Sequence, residues 1–442
     1  MKQRMRTVSL LVLICAVGWN LPATADEHYQ LIYLDGHIHT THSDGSGSLA
    51  DVKEVALARG LSAVITTNHT KQIVDVNEWN SIITESHDLS DPNFLMIPAF
   101  EVTGSEGYLL RDHVLAWGVK DPFVGDDANA LAPEEVWPSP RNHDGTGPLH
   151  PEHLQAWVDY IHEQSGLAVH VHTWGTTQPE YGVDFIELLN VGTVKSIVKE
   201  VAATGVPLET AYHLGFVMNN FSTYGDRDLN MMVEIPGIGE APLRTALNAA
   251  TGAWLGAPEA APLHSWDELL LLFVNGEIPR PIFGVANSDA HNTANTDMAN
   301  TDPTYDNSDV GEGKNGGWVE RLNESSVLSA LKAGRFFATS GPSLAFTING
   351  KMMGETVTPA KEETVQISLS GNAESPTAVI VMVDVIKNGE VFHTLTPNSP
   401  TFEVTLEDAD VTNGYYRAEI IAMDMATEQY DYAWANPVFV RR

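Results

Sequence analysis

The 442-residue chain contains a single cysteine, Cys15. One thiol rules out a disulfide framework and a cysteine-based zinc site. Basic residues are scarce as well: 24 Lys plus Arg face 58 Asp plus Glu, a formal net charge of -34. So acidic a surface repels nucleic acid and anionic membranes, and neither is expected as a partner. Beyond the first 25 residues no run of about 18 apolar residues occurs, so no membrane-spanning helix is expected. The 43% hydrophobic and 19% charged content is a globular balance and excludes wholesale disorder. The length allows two or three domains. Histidine, by contrast, is plentiful, with 17 residues. Any metal must therefore be held by His, Asp and Glu.

Residues 1–25 read as a secretory signal peptide. Lys2, Arg4 and Arg6 form a positive start, Val8 to Val17 an apolar run, and Ala23-Thr24-Ala25 a small-x-small cleavage site. The apolar run is too short to span a bilayer as a helix. Cys15 is preceded by Ile14, where a lipoprotein leader needs a small residue. A secreted or periplasmic protein is expected, with a retained N-terminal anchor as the alternative.

From Leu31 to about Ala290, short apolar runs alternate with helical patterns. Candidate strands are Leu31–Leu34, Leu61–Thr66, Phe94–Phe100, Val114–Trp117, Leu167–Val171, Phe185–Leu189 and Ile282–Ala286. Ser48 to Arg59 predicts a helix: Ser48 and Asp51 make a capping-box pattern, Val52, Val55 and Ala56 share a face, and Gly60 ends it. Repeated strand–helix units argue for parallel strands, in a doubly wound sheet or an α/β barrel. Residues 287–317 form a polar stretch, read as a surface loop with calcium binding or a lid as the alternatives. Ser325 to Lys332 predicts another helix, closed by Gly334. Past Pro342 the hydrophobic period becomes two, with strands expected at Val365–Leu369, Val379–Ile386, Val391–Leu395, Phe402–Leu406, Tyr415–Met423 and Pro437–Val440. Asn388-Gly389 signals a hairpin between two of them. Residues 343–442 are therefore expected to form a β-sandwich, serving packing or glycan contact.

In barrels and open α/β sheets, ligands bind at the carboxyl ends of strands. Those ends are where the His, Asp and Glu residues fall. His37, His39, His42 and Asp44 follow the first strand, His69 the second and Glu101 the third. His113 opens the fourth, His170 and His172 end the fifth, and Asp289 and His291 follow the last. Residues two apart on an extended backbone point the same way, so each His-x-His pair can chelate one ion. A lone histidine at a strand end is ordinarily a packed core or rim residue, and Glu101 alone could be a capping or salt-bridge residue. Six strand ends carrying ligand-type groups point instead to a multinuclear metal site, because converging carboxylates and imidazoles are costly to leave unpaired in a cleft.

These motifs resemble those of the PHP (polymerase and histidinol phosphatase) superfamily. Asp35-Gly36-His37-Ile38-His39-Thr40 with Ser43-Asp44-Gly45 is similar to its first motif, Thr67-Asn68-His69 to its second, Pro98-Ala99-Phe100-Glu101-Val102-Thr103 to its third and Ser288-Asp289-Ala290-His291 to its last. The stretch from Leu331 to Gly341, with Gly334-Arg335-Phe336, resembles the secreted branch that includes carbaryl hydrolases. The resemblance covers residues 31 to about 340 and implies a distorted (β/α)7 TIM-like barrel over residues 26–342, holding two or three divalent ions (Zn, Mn or Fe). It implies His37, His39, Glu101 and Asp289 for a first ion, and Asp44, His69 and His291 for a second. A third would sit with Glu101, His113 and His172, with His170 as the alternative to His172. Asn68 stands where the family commonly has Asp, and His42 is an extra histidine read as a rim residue. The implied activity is a hydrolase that uses a metal-activated water. Asp44, His291 and Arg335 are its candidate catalytic residues, Arg335 as a planar fork for an anionic oxygen or else as a surface ion pair. A small phosphoester is the expected substrate. A carboxyl or carbamate aryl ester, and a non-catalytic metal- or glycan-binding protein, are the alternatives. Residues 201–280 are expected to shape the pocket. Trp174, Trp254 and Trp266 either line it or pack in the core. Oligomeric state is not indicated by the sequence.

Overall fold

The computed structural model describes residues 29–73, 75–102, 113–120, 151–172, 176–177, 182–192, 194–195, 232–235, 239–242, 264–292, 308–427 and 429–442. The expected signal peptide, Cys15, Trp174, Trp254 and residues 293–307 of the polar stretch lie outside these.

Mixed α/β architecture is organised around one large sheet. Its first seven strands are β1 (Gln30–Asp35), β2 (Ala63–His69), β3 (Leu95–Val102), β4 (His113–Trp117), β5 (Leu167–Val171), β6 (Phe185–Asn190) and β7 (Phe283–Asn287). They lie side by side in the order β7-β6-β5-β4-β3-β2-β1. Strands β2, β5, β6 and β7 are buried at every position, which is why they read as unbroken apolar runs rather than alternating ones. Strand β4 departs from the all-parallel expectation: it runs antiparallel to both β3 and β5. Past the ends of β1 and β7, Ile38 and Ala290 form a parallel bridge that joins the two outer strands.

Helices α1 (Leu49–Ala58), α2 (Val76–Leu89), α3 (Pro151–Glu163), α4 (Trp266–Asn275) and α5 (Glu324–Lys332) accompany the strands. The Ser48–Asp51 capping box of α1 is formed, and Gly60, with φ of 74°, follows its last turn. Its Leu49, Val52, Val55 and Ala56 are buried, each larger side chain contributing about 1.5–3 kcal/mol. A second capping box, Ser265 with Glu268, starts α4, and Gly276 ends it in the left-handed region at φ 77°. Trp266 on α4 is wholly buried and donates its indole N–H to the Ile282 carbonyl at 2.9 Å, so it is a core residue.

The polar stretch is not a loop throughout. Residues 314–319 form β8 (Lys314–Val319), antiparallel to β1. Gly316 is required there because a Cβ would lie 2.2 Å from Cζ of Phe337. Strand β8 pairs with β9 (Phe336–Thr339), and pairing continues through β16 (Tyr430–Ala435), β15 (Gly414–Asp424), β12 (Ala378–Lys387) and β13 (Glu390–Leu395). A smaller sheet of β10 (Ser343–Ile348), β11 (Val365–Asn372) and β14 (Thr401–Asp408), with Lys351–Met352 at its edge, faces this extension. Leu344, Ile367 and Leu369 on one side and Ile380, Val385 and Ile420 on the other share a single apolar core. Burial alternates along β11 and β14, as the period of two predicts. The β12–β13 turn carries Asn388 and Gly389 at φ 52° and 82°, as their dipeptide signals. Strand β17 (Val438–Val440) pairs with β15.

Candidate metal centre

The expected ligands converge at the carboxyl ends of β1, β2, β3, β5 and β7. The clustering begins with the backbone. The His39 N–H donates to the Ala290 carbonyl at 2.9 Å and the Ala290 N–H to the His37 carbonyl at 3.2 Å, locking the first and last motifs together. Asp35, fully buried, accepts from the backbone N–H groups of Ser288 at 3.1 Å and Gly311 at 2.8 Å. Burial raises the Asp35 carboxyl to about 6 in spite of those hydrogen bonds. Gly45 turns the loop so closely that a Cβ would lie 2.3 Å from the His39 carbonyl oxygen. Both His172 and Asp289 hold left-handed backbone, at φ 56° and 54°, a strained state that clusters at functional sites.

Glu101 is the hub. Its Oε2 lies 3.4 Å from His37 Nε2, 3.2 Å from His39 Nε2 and 3.1 Å from His69 Nδ1. Its Oε1 lies 2.6 Å from His113 Nδ1 and 3.5 Å from His172 Nε2. Asp289 Oδ1 stands 3.2 Å from His37 Nε2 and 3.3 Å from His39 Nε2. Asp44 reaches His69 Nε2 at 3.4 Å and His291 Nε2 at 3.5 Å. The side chains divide into four overlapping groups with metal-ligand spacing: His39, Asp44, His69 and His291; His37, His172 and Asp289; His37, His39 and Glu101; Glu101, His113 and His172. In each, one ligand atom per residue lies within 4.8 Å of the others.

Each site residue named from the sequence now has a place. His37, His39, Asp44, His69, Glu101, His113, His172, Asp289 and His291 all belong to these groups. His39 joins the group assigned to Asp44, His69 and His291. His172 takes part in two groups and His170, though buried, in none. His42 sits on the rim, 3.5 Å from Glu78 and 3.8 Å from Glu85. Asn68 belongs to none of the ligand groups: its Oδ1 accepts from Thr40 N–H at 2.8 Å, Thr40 O–H at 2.9 Å and Ser43 O–H at 3.0 Å, clamping the loop that carries Asp44.

Arg335 is the correction. It precedes β9, whose Phe336 pairs with Gly317, which in turn pairs with Ile32 near the start of β1. It therefore lies at the amino ends of the strands, away from the histidines, and cannot grip a group bound there.

Glu187 on β6 was not anticipated. Buried behind the His37 ring, its Oε1 lies 3.3 Å from His37 Nδ1 and accepts from Asn287 Nδ2 at 2.9 Å; its Oε2 accepts from Asn190 Nδ2 at 2.8 Å. Asn190 Nδ2 is also 3.2 Å from His172 Nδ1. Such outer contacts fix ring orientation and raise ligand basicity. An acid inside the apolar run Phe185-Ile186-Glu187-Leu188-Leu189 was the available signal.

The charge state fits a cation. Among the described residues the ion-pair partners of Asp44, Glu101 and Asp289 are all histidines. Burial would raise the Glu101 carboxyl, but His113, His69 and His37 hold it well below the usual range. Burial likewise loses to His37, His39 and His291 at Asp289, and to His291 and His69 at Asp44, so both stay ionised. Burial opposes protonation of His37, yet Asp289 and Glu101 raise it; at His69, Glu101 and Asp44 overcome burial and raise it to about 9. At His39, burial together with His291 and His69 lowers the ring to about 4, the neutral form a metal needs. Burial also lowers His113. Both ring nitrogens of His39, and Nδ1 of His69, are buried without a hydrogen-bond partner. Buried polar atoms are nearly always satisfied, so these orphans and the carboxylates beside them match ligands for divalent cations.

No family model matches the chain. An uncharacterised Chlamydia pneumoniae protein is 30% identical over 137 residues, 27% of this chain. The chain spans only 21% of that relative's length. A two-domain Bacteroides vulgatus protein, described as containing a predicted PHP-like metal-dependent phosphoesterase, aligns over 93% of this chain and 95% of its own at 12% identity and a TM-score of 0.34. A Bifidobacterium adolescentis protein assigned as a metal-dependent phosphoesterase aligns over 36% of this chain and 77% of its own, at 15% identity and a TM-score of 0.23. A Chromobacterium violaceum amidohydrolase solved with sulfate aligns over 49% of this chain and 96% of its own, at 16% identity and a TM-score of 0.24. Likeness at these scores is loose, and the case for the site stands on its side chains.

Proposed function

We propose that the chain is an exported, metal-dependent hydrolase of the PHP superfamily that acts on a small phosphoester. The observation carrying this is the set of four overlapping ligand groups that share His37, His39, Glu101 and His172, with His39 nitrogens that are buried and make no hydrogen bond. On this reading β1 to β7, joined by the Ile38–Ala290 bridge, form a distorted (β/α)7 barrel, residues 343–442 are a separate β-sandwich domain, and residues 1–25 are removed on export.

His37, His39, Glu101 and Asp289 would hold one ion, Asp44, His69, His291 and His39 another, and Glu101, His113 and His172 a third. Divalent ions held there would activate a water as nucleophile and neutralise charge growing on the scissile group. The protein's own residues do the rest. Glu187 holds the His37 ring through Nδ1, and Asn190 holds that of His172. Asp44 and His291, the ligand side chains with the largest exposure at 42% and 31%, face the entrance, so they meet substrate first. The net charge of -34 disfavours large polyanions, so a small substrate suits the centre better.

The placement of Arg335 at the other end of the strands favours a second reading. With no basic fork at the site among the described residues, a neutral carboxyl or carbamate ester suits the same centre. A panel of phosphomonoesters, phosphodiesters, aryl esters and carbamates, assayed with Mn²⁺- or Zn²⁺-loaded protein, separates the two. Metal-stimulated turnover of a phosphoester supports the proposal; turnover confined to aryl esters supports the second reading; none at all contradicts both.

A further inference from the structure

We infer that a cleft at the amino ends of β6 and β7 is a second ligand site, for a small molecule carrying one phosphate or carboxylate on an apolar body. The cleft has a volume of about 330 Å³, within the size range of small-molecule pockets. Arg280, Lys332 and Arg335 supply its basic wall, and Phe185, Pro281 and Phe283 its apolar wall.

Two bases without a carboxylate in one cleft are unexpected in a chain with 24 basic and 58 acidic residues, where almost any base can find one. Two acids also line it, but both are committed. Asp184 accepts from Arg280 Nη1 at 3.3 Å and from the Ala168 N–H at 2.8 Å. Glu355 accepts from Lys351 Nζ at 3.3 Å and from the Met352 N–H at 2.7 Å. Lys332 and Arg335 are left without a carboxylate partner among the described residues. The Arg335 guanidinium stacks 5.1 Å from the ring of Tyr29, which uses its face and leaves its in-plane donors free. Its Nε is buried with no acceptor. A planar oxyanion is the partner that such a fork matches, and the exposed Lys332 ammonium adds a second charge.

This cleft is distinct from the metal centre. Phe185 and Phe283 are the first residues of β6 and β7 and pair with each other. Asn287, at the other end of β7, lies four residues on, about 13 Å away. The metal-ligating side chains lie at and beyond that far end.

Calorimetric titration of the full chain, stripped of metal with a chelator, tests the inference with inorganic phosphate, phenyl phosphate and benzoate as probes. Stripping removes any binding that depends on the metal centre. Saturable binding is expected, tighter for phenyl phosphate or benzoate than for inorganic phosphate, and weakened at least about fivefold by Lys332→Gln and by Arg335→Gln. Lys332 is exposed, so its variant keeps the test open should Arg335→Gln fail to fold. Preference for phenyl phosphate over benzoate assigns a phosphate ligand and the reverse a carboxylate, and either supports the site. Absence of saturable binding to the stripped protein, or affinity unchanged in folded Lys332→Gln and Arg335→Gln, overturns it.

Discussion

Glu187→Gln is the substitution that separates a metal centre from a merely polar core. The change keeps volume and shape, so no cavity opens. Four donors point at this carboxylate: His37 Nδ1 and Asn287 Nδ2 at Oε1, Asn190 Nδ2 and the His172 N–H at Oε2. With His37 Nε2 turned to Glu101 and Asp289, Nδ1 is the ring atom that carries a proton to Glu187. A glutamine in either orientation turns its NH₂ group toward two of those donors. Two buried donors then lose this acceptor, at about 1–3 kcal/mol of stability for each left unsatisfied. The His37 ring also loses the negative charge that raises its basicity, and losing such an outer partner weakens metal affinity about 10- to 100-fold. That corresponds to roughly 1.4–2.8 kcal/mol of binding free energy. Zinc competition against a chromophoric chelator reads the affinity, and urea denaturation of the metal-free protein reads the stability. A folded Glu187→Gln protein that binds zinc within twofold of the parent would refute the reasoning.

Metal uptake at pH 7 should release protons. In the metal-free protein the carboxylates raise His37 well above its ordinary range and His69 to about 9, so both are protonated at pH 7 and must lose a proton to bind, and they push His291 in the same direction. His39, near 4, has none to lose. Apparent affinity should therefore rise with pH through neutrality toward 9, and calorimetry in buffers of different ionisation enthalpy should show release; uptake, or no exchange, would contradict this. Ser48→Ala removes the α1 capping box and should cost about 1 kcal/mol in urea denaturation, with no change in metal content. Arg417→Leu should cost about 3–5 kcal/mol, because Arg417 is wholly buried and its loss strands Asp267, which it contacts at 2.7 and 2.6 Å, and Glu419. A loss below about 1 kcal/mol would show that this joint between α4 and β15 is solvated.

Much of this arrangement was legible in the sequence because burial leaves periodic traces. Unbroken apolar runs marked strands covered on both faces, and alternation marked the facing sheets of the C-terminal region. The His-x-His pair at 37 and 39 was readable because an extended backbone aims both rings alike, and here both reach the same Glu101 oxygen. Strand β8 was missed because Asn315-Gly316-Gly317 has the composition of a turn, while the glycine is demanded by the Phe337 ring, a contact with no local trace. Arg335 was misplaced for a related reason. Sequence gives its position after a helix, but two antiparallel pairings, β1 with β8 and β8 with β9, decide which end of the sheet it occupies. Glu187 went unread because a strand assignment explained its neighbours. The choice between His170 and His172 needed the left-handed turn at His172, which a bare spacing does not reveal.

Elemental analysis of the protein reconstituted with Zn²⁺ or Mn²⁺ and freed of excess metal is the most direct test of the central claim. The four overlapping ligand groups predict about two or three divalent ions per chain, falling by at least one in Glu101→Gln, which touches two of the groups. Fewer than about one ion per chain in the folded parent would contradict it.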